Sequence, residues 1–411
     1  MKKVAIIGGG AAGLIASVVL ARRGVKVDIF EQNSKLGKKI LVSGNGHCNI
    51  SNIFLDAEHY TSDNPRFVES TLQRFGFAEL EKFMNSVGML LYSKEDGRAY
   101  PLSYEAKSVL NAFEEVLSNL HVDIFYEHKI ESIKKEEFFT LTCKSQTYEG
   151  YDAVVVATGL QAAPQLGAND DGLRFATSFE HTVIPTYPSL VGLHLDSPYH
   201  EHLFGVKING EAAIYVDRIK EKTVKGDILF TKYGVSGLAV LDISQIASKA
   251  LLHCQNVEIS LNLLSELNPQ SIASQILNLC KAVPENKIET VLNGVVHSKL
   301  ASMVLKAVNI NADLLALHVN TKMVKSIINK LQNWRFKVVD THGFTHAEVA
   351  GGGVDTCEID EKSFESKKAE GLYFVGELLD VTGERGGYNF QFAFASGHLC
   401  AEAICKNFSH F

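Results

Sequence analysis

The sequence predicts an α/β protein whose nucleotide-binding domain is assembled from both chain ends around an inserted domain. Three stretches carry this reading. Residues 4–31, VAIIGGGAAGLIASVVLARRGVKVDIFE, read as strand, glycine turn, helix and a second strand ending in an acid. Residues 151–159, YDAVVVATG, hold a short apolar run that stops on small residues. After a middle section of different texture, residues 371–397 return to strand, glycine-rich loop and helix.

In the first stretch Val4, Ala5, Ile6 and Ile7 favour a strand. Gly8, Gly10 and Gly13 follow in the spacing G-x-G-x-x-G. Gly8 permits a sharp turn, Gly10 leaves the backbone open to a pyrophosphate, and Gly13 lets helix and strand pack closely. The first-turn N–H groups at Ala11, Ala12 and Gly13 and the positive end of the helix dipole favour an anion. Gly24 stops the helix. Residues 25–30 form a strand ending in Glu31, 18 residues past Gly13. Its carboxylate can accept from ribose hydroxyls, with Gln32 beside it. This is a Rossmann-like dinucleotide site; the motif alone does not separate NAD from FAD.

Residues 32–52 are dense in Gly, Asn, Ser and Lys without clear periodicity. Loops of that length are usually functional. Lys38 and Lys39 place two cations beyond Glu31, and Gly44, Asn45 and Gly46 let backbone approach a flat ligand. Residues 64–87 have helical spacing up to a stop at Gly88. Residues 89–101 read as a hairpin turning at 95–98, and 104–120 as a helix. Strands are expected at 122–126, 128–134, 138–143 and 146–148. Ala153–Val156 reads as a strand buried on both faces. Ala157, Thr158 and Gly159 lie at its carboxyl end, the edge where open α/β sheets bind ligands.

From Pro185 the texture changes. Short strands at 190–195, 206–208, 213–216 and 228–231 indicate an antiparallel barrel or sandwich. A helix at 238–250 and a strand at 257–261 lead into helical stretches at 269–282, 288–296, 297–308, 312–318 and 321–331. A strand at 334–339 follows. Residues 1–186 and 343–411 therefore form the nucleotide-binding domain. Residues 187–342 form the insert, β-rich over about 187–261 and 334–342 and helical over about 262–333. Residues 347–354 carry three glycines with no long helix behind them, so they are not a second fingerprint. A strand at 372–375 ends at Gly376 and Glu377. Asp380, Gly386, Gly387, Tyr388 and Asn389 lie in the loop after it, and a helix over 390–406 starts toward the ligand.

The 411 residues carry a net charge of −7, which gives no electrostatic reason to expect nucleic acid. The seven cysteines contain no C-x-x-C pair and read as reduced thiols of a cytoplasmic protein. The first strand begins at once, leaving no room for a signal peptide, and no apolar run is long enough for a membrane span. His342 and His346 are spaced i, i+4, but Gly343 and Thr345 between them argue against a zinc helix, so no metal is expected.

Taken together, these residues resemble the HI0933-like flavoproteins, grouped with the BaiN-like NAD(P)/FAD-dependent oxidoreductases, over nearly the whole chain. The likeness rests on Gly8–Gly13 with Glu31, on Gly37-Lys38-Lys39, and on Ser43-Gly44-Asn45-Gly46-His47-Cys48-Asn49. It continues through Ala157-Thr158-Gly159, residues 231–244 (TKYGVSGLAVLDIS), residues 349–354 and residues 371–397. The resemblance implies a glutathione-reductase-like FAD domain with an inserted β-barrel and helical domain, and FAD rather than NAD as cofactor. It implies that Gly8, Gly10, Ala12 and Gly13 hold the pyrophosphate and Glu31 the adenosine ribose. Lys38 and Lys39 would lie near the cofactor and Ile130 near the adenine. Ser43 to Asn49 and Gly386 to Asn389 would border the isoalloxazine. The family usually has Arg where this chain has His47, and Thr where it has Ala350.

A flavin carries the redox step while the protein orients and tunes it. The expected function is an FAD-dependent oxidoreductase acting on a small organic molecule, with NADH or NADPH visiting transiently because only one full fingerprint is present. One alternative is an O2-using oxidase of an amine or amino ketone. A second is an RNA-associated flavoprotein, which the acidic charge opposes and a basic face of Lys299, Lys306, Lys322, Lys325, Lys330, Arg335 and Lys337 on the insert would favour. No catalytic acid or base is assigned. Glu384, Arg385 and Tyr388 sit in the expected flavin loop as solvated loop residues, cofactor contacts or catalytic groups. Cys48 reads as a packed, noncovalent neighbour of the flavin, with covalent flavin attachment and a redox thiol as the alternatives.

Overall fold

The computed structural model describes residues 2–144 and 146–409; Met1, Ser145, His410 and Phe411 of the expected segments lie outside them. The chain divides into two compact units, Met1–Tyr187 with Val349–Phe411, and Pro188–Glu348.

The first unit is built on a five-stranded parallel sheet. Its order is Leu372–Phe374, Ala153–Val156, Lys3–Ile7 (β1), Lys26–Glu31 (β2), Asp123–Tyr126. β1 is central, with Ile7 opposite Val156 on one side and Phe30 on the other. The chain leaves β1 toward β2 and returns on the other side with Ala153–Val156. The carboxyl end of β1 is therefore a topological switch point. The outermost strand, Leu372–Phe374, comes from the far end of the sequence and pairs with Ala153–Val156. The helix after β1, Ala11–Arg22 (α1), is buried continuously from Ala11 to Leu20. It packs under the C-terminal helix Tyr388–Ser409, where any Cβ on Gly397 would overlap the Ala12 carbonyl.

The second unit is a closed six-stranded barrel with helices added. Leu193–Asp196, Gly234–Ser236, Ile219–Phe230, Lys207–Val216, Val257–Asn262 and Trp334–Thr341 succeed one another round the barrel, and the last pairs with the first. Leu193, Phe230, Ile259, Trp334 and Phe336 belong to its apolar core. The helices Pro269–Ala282, Ser298–Ala307 and Thr321–Gln332 each contribute buried aliphatic residues to the same core.

Several local expectations are corrected. The helix expected over 64–87 is two, Pro65–Arg74 and Phe77–Ser86. The second restarts at Gly76, whose N–H is taken by the Glu79 carboxylate at 2.9 Å. Within residues 32–52 the segment Lys38–Val42 is a short helix followed by a 3-10 turn, Ser43–Gly46. The strand expected over 128–134 begins only at Ser132. The two strands expected at 206–208 and 213–216 are one, because Asn209 and Gly210 continue the ladder opposite Asp227 and Gly226. Its partner Ile219–Phe230 was expected only from 228. Its first half is polar and exposed, and the two-residue turn is Asp217-Arg218, both with positive φ and neither glycine. Residues 312–318 are helical only over the 3-10 turn Ala316–His318. The C-terminal helix starts two residues early, at Tyr388. The second unit continues past 342 to Glu348, since the 3-10 turn Phe344–His346 carries the Glu348 N–H back to the Leu190 carbonyl.

A buried polar network ties Thr356–Glu358 and residues 366–369 to the start of Val183–Ser189. Ser366 Oγ accepts from the Lys368 and Ala369 N–H groups, so its own proton goes to His181 Nε2 at 2.7 Å. The neutral His181 then donates from Nδ1 to Glu358 Oε2 at 3.2 Å. Burial pushes the His181 imidazole down. Burial also works to raise the Glu358 carboxyl, but hydrogen bonds from Lys368 and from the Thr182 N–H and hydroxyl outweigh it and hold the group at about 2. A carboxylate depressed in this way adds stability that is complete above its unfolded value near 4.5 and is lost as pH falls through about 2. Glu358→Ala is expected to cost about 1–2 kcal/mol at pH 7 and to flatten the acid limb of the melting profile. Thermal melts across pH check this, and an unchanged pH 7 melting point argues against the network.

Candidate functional site

The site is built where β1 ends. Gly8 turns the chain with φ 106°, and a Cβ there would lie 2.5 Å from the Ala157 carbonyl oxygen. A Cβ on Gly13 would overlap the Gly8 carbonyl, so α1 can approach the turn this closely only with glycine at that place. Gly10 is the N-cap of α1, with no side-chain cap and no acid in the first turn. Nothing lies within 4 Å of where its Cβ would be. The uncapped first-turn N–H groups thus open onto free space, a fit for a pyrophosphate.

Glu31 is buried at the end of β2. Its Oε2 accepts from the Gly9 N–H at 2.9 Å, and its Oε1 from the Asn33 N–H and Nδ2 at 2.8 Å each. The His128 N–H donates to the Glu31 carbonyl, which brings the segment carrying the buried Ile130 against the same strand end. Gln32 Nε2 donates to the Gly167 carbonyl, and Gln32 Oε1 accepts from Asn169 Nδ2 at 2.9 Å. Lys38 Nζ donates to Asn33 Oδ1 at 2.8 Å. Lys39 is instead paired with Glu377, Nζ to Oε2 at 2.8 Å. Glu377 Oε1 accepts from the Ala350 N–H at 3.0 Å, and Gly159 lies beside the same carboxylate. Ala157, Thr158 and Gly159 therefore meet Gly376 and Glu377 at one sheet edge.

Two loops meet at Gly387. Its φ is 100°, and a Cβ would overlap the Ser51 carbonyl and come within 2.8 Å of Asn49 Oδ1. Asn49 Oδ1 is a buried acceptor without a hydrogen-bond partner, an unusual state that a bound group's N–H would relieve. Before it, Gly44, Asn45, Gly46 and Cys48 all have positive φ, so the backbone winds tightly. Cys48 is buried and its thiol is pushed up to about 12 by burial, against a hydrogen bond with Ser43. It is a packed thiol, not a nucleophile. His47 stacks on Tyr104 with ring centres 4.1 Å apart, and its Nδ1 lies 2.8 Å from the Tyr104 carbonyl. On the other loop, Asn389 clasps Gly383, accepting its N–H and donating to its carbonyl at 2.8 Å each. Asn52 Nδ2 donates to the Gly386 carbonyl at 3.1 Å, and Asp380 Oδ2 accepts from the Asp63 N–H at 3.0 Å. Asn389 and Asp380 hold the loop's shape.

The expected cofactor residues of the first unit thus gather at one sheet edge and two loops, and the donor set fits FAD. It offers open N–H groups at a helix start, an acid at the second strand, a glycine-lined cradle and one orphaned acceptor. The insert's basic residues fall on three elements: Lys299 and Lys306 on Ser298–Ala307, Lys322, Lys325 and Lys330 on Thr321–Gln332, and Arg335 and Lys337 on Trp334–Thr341. Sequence reasoning missed His59. Its Nδ1 lies 3.0 Å from Glu384 Oε2, and its ring stacks on Tyr388 at 4.4 Å between centres. No local signal marks it, because its partners lie more than 300 residues away.

The HI0933-like protein Rossmann domain matches residues 2–403. A 3-dehydro-bile acid delta(4,6)-reductase of Clostridium scindens is 32% identical over 99% of this chain and 100% of its own length. A ribosomal RNA dihydrouridine synthase of Haemophilus influenzae is 32% identical over 98% of both chains. Among solved structures, the 3-ketosteroid delta1-dehydrogenase of Sterolibacterium denitrificans covers 99% of this chain and 100% of its own, with TM-score 0.50 and 11% identity. That last likeness bears on the fold alone.

The open space at Gly10 yields a clean test. Gly10→Ala places a methyl where nothing is displaced and at a φ of −84° that alanine tolerates. It is expected to change apoprotein stability by less than about 0.5 kcal/mol while weakening FAD binding at least ~10-fold. Thermal melts and fluorescence titration of the apoprotein measure both. Equal FAD affinity would remove the pyrophosphate from this turn.

Proposed function

Since the chain belongs to the HI0933-like family of FAD-dependent oxidoreductases, we propose that it reduces a carbon–carbon double bond conjugated to a carbonyl, with NADH or NADPH as reductant. The observation that carries this is the pair of full-length relatives. One is named for reducing delta(4,6) unsaturation in a 3-dehydro-bile acid, the other for making dihydrouridine. The substrates differ in size and polarity, yet both reductions add two hydrogens across a double bond that a carbonyl polarises. A flavin, when bound, supplies the hydride for such a step. The protein's part is to hold the cofactor, seat the carbonyl and deliver a proton.

The site residues support this division of labour. Gly8, Gly10, Ala11, Ala12 and Gly13 hold the diphosphate through backbone N–H groups, and Glu31 takes the ribose. Ser43 to Asn49 and Gly386 to Asn389 form the wall at the flavin ring, with Asn49 Oδ1 as a ready acceptor. NAD(P)H reaches the flavin as a transient visitor, since the chain has a single fingerprint. The favoured substrate is a small, flat enone or dienone. Uridine in RNA is the second reading, favoured by the ribosomal RNA relative and by the exposed Lys299, Lys306, Lys322 and Lys325 of the insert.

Anaerobic stopped-flow mixing tests the proposal. Holoenzyme is expected to bleach with NADH or NADPH, then to recover colour with a 4,6-dien-3-one steroid or a uridine-containing ribosomal RNA fragment. Mass spectrometry is expected to find two added hydrogens in the product. RNA as substrate would also weaken steeply with salt. Recovery only with O2, with peroxide release and oxidation of an amine, would overturn the reductase in favour of an oxidase.

A further inference from the structure

We propose that His59 is the proton donor of this site and that Glu384 positions it. The inference rests on the reading of the site as a reductase of conjugated double bonds, and it starts from geometry alone. His59 ends the short 3-10 turn Ala57–His59, and Glu384 opens the loop that continues to Asn389. Their backbones are joined first: the Glu384 N–H donates to the His59 carbonyl at 2.8 Å. The neighbouring residues pair as strands, Tyr60 with Gly383 and Thr61 with Thr382. The two side chains are thereby brought face to face, His59 Nδ1 to Glu384 Oε2 at 3.0 Å.

An ionised carboxylate cannot donate, so the proton on this line belongs to Nδ1. That fixes the tautomer of the neutral ring and leaves Nε2 as the nitrogen that carries the transferable proton when the ring is imidazolium. Among the described residues no group hydrogen-bonds Nε2, and about a third of the side chain, 36%, is exposed. The ring cannot swing away, because it stacks on Tyr388 with planes 24° apart. Tyr388 belongs to the loop that meets the Ser43–Asn49 loop at Gly387. The dyad is therefore anchored to the wall on which the flavin ring is expected.

The other candidate donors nearby are engaged. The Tyr60 hydroxyl donates to the Tyr388 carbonyl at 3.0 Å. The Tyr388 hydroxyl faces the Phe54 carbonyl at 3.3 Å, and burial and Glu384 push that phenol up to about 12. Cys48 is sealed in the core. Lys39 is paired with Glu377. His47 also has a committed Nδ1, but a backbone carbonyl backs it in place of a carboxylate.

A reduced flavin held at this wall would supply a hydride to the carbon of the conjugated double bond remote from the carbonyl. The electron pair of the double bond shifts toward the carbonyl. The carbon next to the carbonyl then takes the Nε2 proton of the His59 imidazolium, whose Nδ1–H faces the Glu384 carboxylate; the ring is left as the neutral Nδ1–H tautomer, and a solvent proton restores the imidazolium. Two hydrogens would thus be added across the double bond, the hydride from the cofactor and the proton by way of His59.

Two measurements test it. In 15N-histidine spectra of the apoprotein, taken at a pH where the ring is neutral, the resonance lost in His59→Gln is expected to report the Nδ1–H tautomer, and Glu384→Gln is expected to change its tautomer balance. With holoenzyme, His59→Gln is expected to slow reoxidation by the conjugated acceptor by ~100-fold or more, the scale of general acid catalysis. Reoxidation by ferricyanide, which needs no carbon protonation, reports that the flavin is loaded and redox-competent. Glu384→Gln is expected to give an intermediate loss, and melting curves verify that each variant is folded. Wild-type speed with the conjugated acceptor in folded His59→Gln would overturn the proposal, as would the loss appearing in His47→Gln instead. Wild-type enzyme that reduces neither acceptor would bring down the functional reading itself, a separate failure.

Discussion

The closeness of α1 to its surroundings is the constraint on which the rest depends. Its first turn lies against the Gly8 carbonyl at Gly13 and against the C-terminal helix at Gly397, both places with no room for a Cβ. The contact with Gly8 aims the helix start across the carboxyl end of β1, so that its free N–H groups open onto the switch point of the sheet. The contact with Gly397 draws in the C-terminal helix, and with it the Gly383–Asn389 loop that precedes it. These two close contacts thus bring the helix start and the Gly383–Gly387 loop into one arrangement around α1. Small residues buy that closeness by giving up the apolar area a larger side chain would bury.

How much of this could be read from the chain depended on how local each cause was. The β1–α1–β2 unit is specified by neighbours in sequence, and its glycines, apolar run and acid are legible one by one. Ala153–Val156 was legible because a strand buried on both faces leaves no polar residue to blur it. The misread parts were decided elsewhere. Ile219–Phe230 is a strand because the barrel closes around it, although half of it is exposed and its turn, Asp217-Arg218, lacks glycine. The helix over 64–87 breaks at Gly76, where periodicity on both sides hides the new start that Glu79 caps. Gln32, Asp380 and Asn389, read as cofactor residues, also hold neighbouring loops in shape. His59 was invisible because the group that orients it arrives with the last part of the chain.

The charges of the site are arranged to be nearly neutral before any ligand arrives. Lys39 and Glu377 answer each other, and Glu31 is satisfied by backbone and Asn33. A half-buried ion pair of this kind adds little to stability but fixes geometry. Glu377 also receives the Ala350 N–H, so it ties three separate segments, around Lys39, Ala350 and Gly376, to one carboxylate. The helix start at Gly10 thus presents oriented N–H groups, whose field does not depend on flexible side chains.

The edge strand Leu372–Phe374 carries a consequence for how the molecule is made. On the ribosome, synthesis runs from the amino end, and domains fold as units as they emerge. Pro188–Glu348 is one unbroken stretch, so its barrel can close as soon as its last strand has left the exit tunnel. The first unit has no such freedom: Ala153–Val156 is translated with one flank bare and stays so until residues 372–374 appear. A nascent chain therefore carries a finished barrel beside an unfinished sheet until translation has passed the insert and reached the edge strand. An exposed hydrophobic edge of that kind invites pairing with other chains. Premature termination between residues 348 and 372 would leave a folded passenger attached to a sheet that cannot be completed.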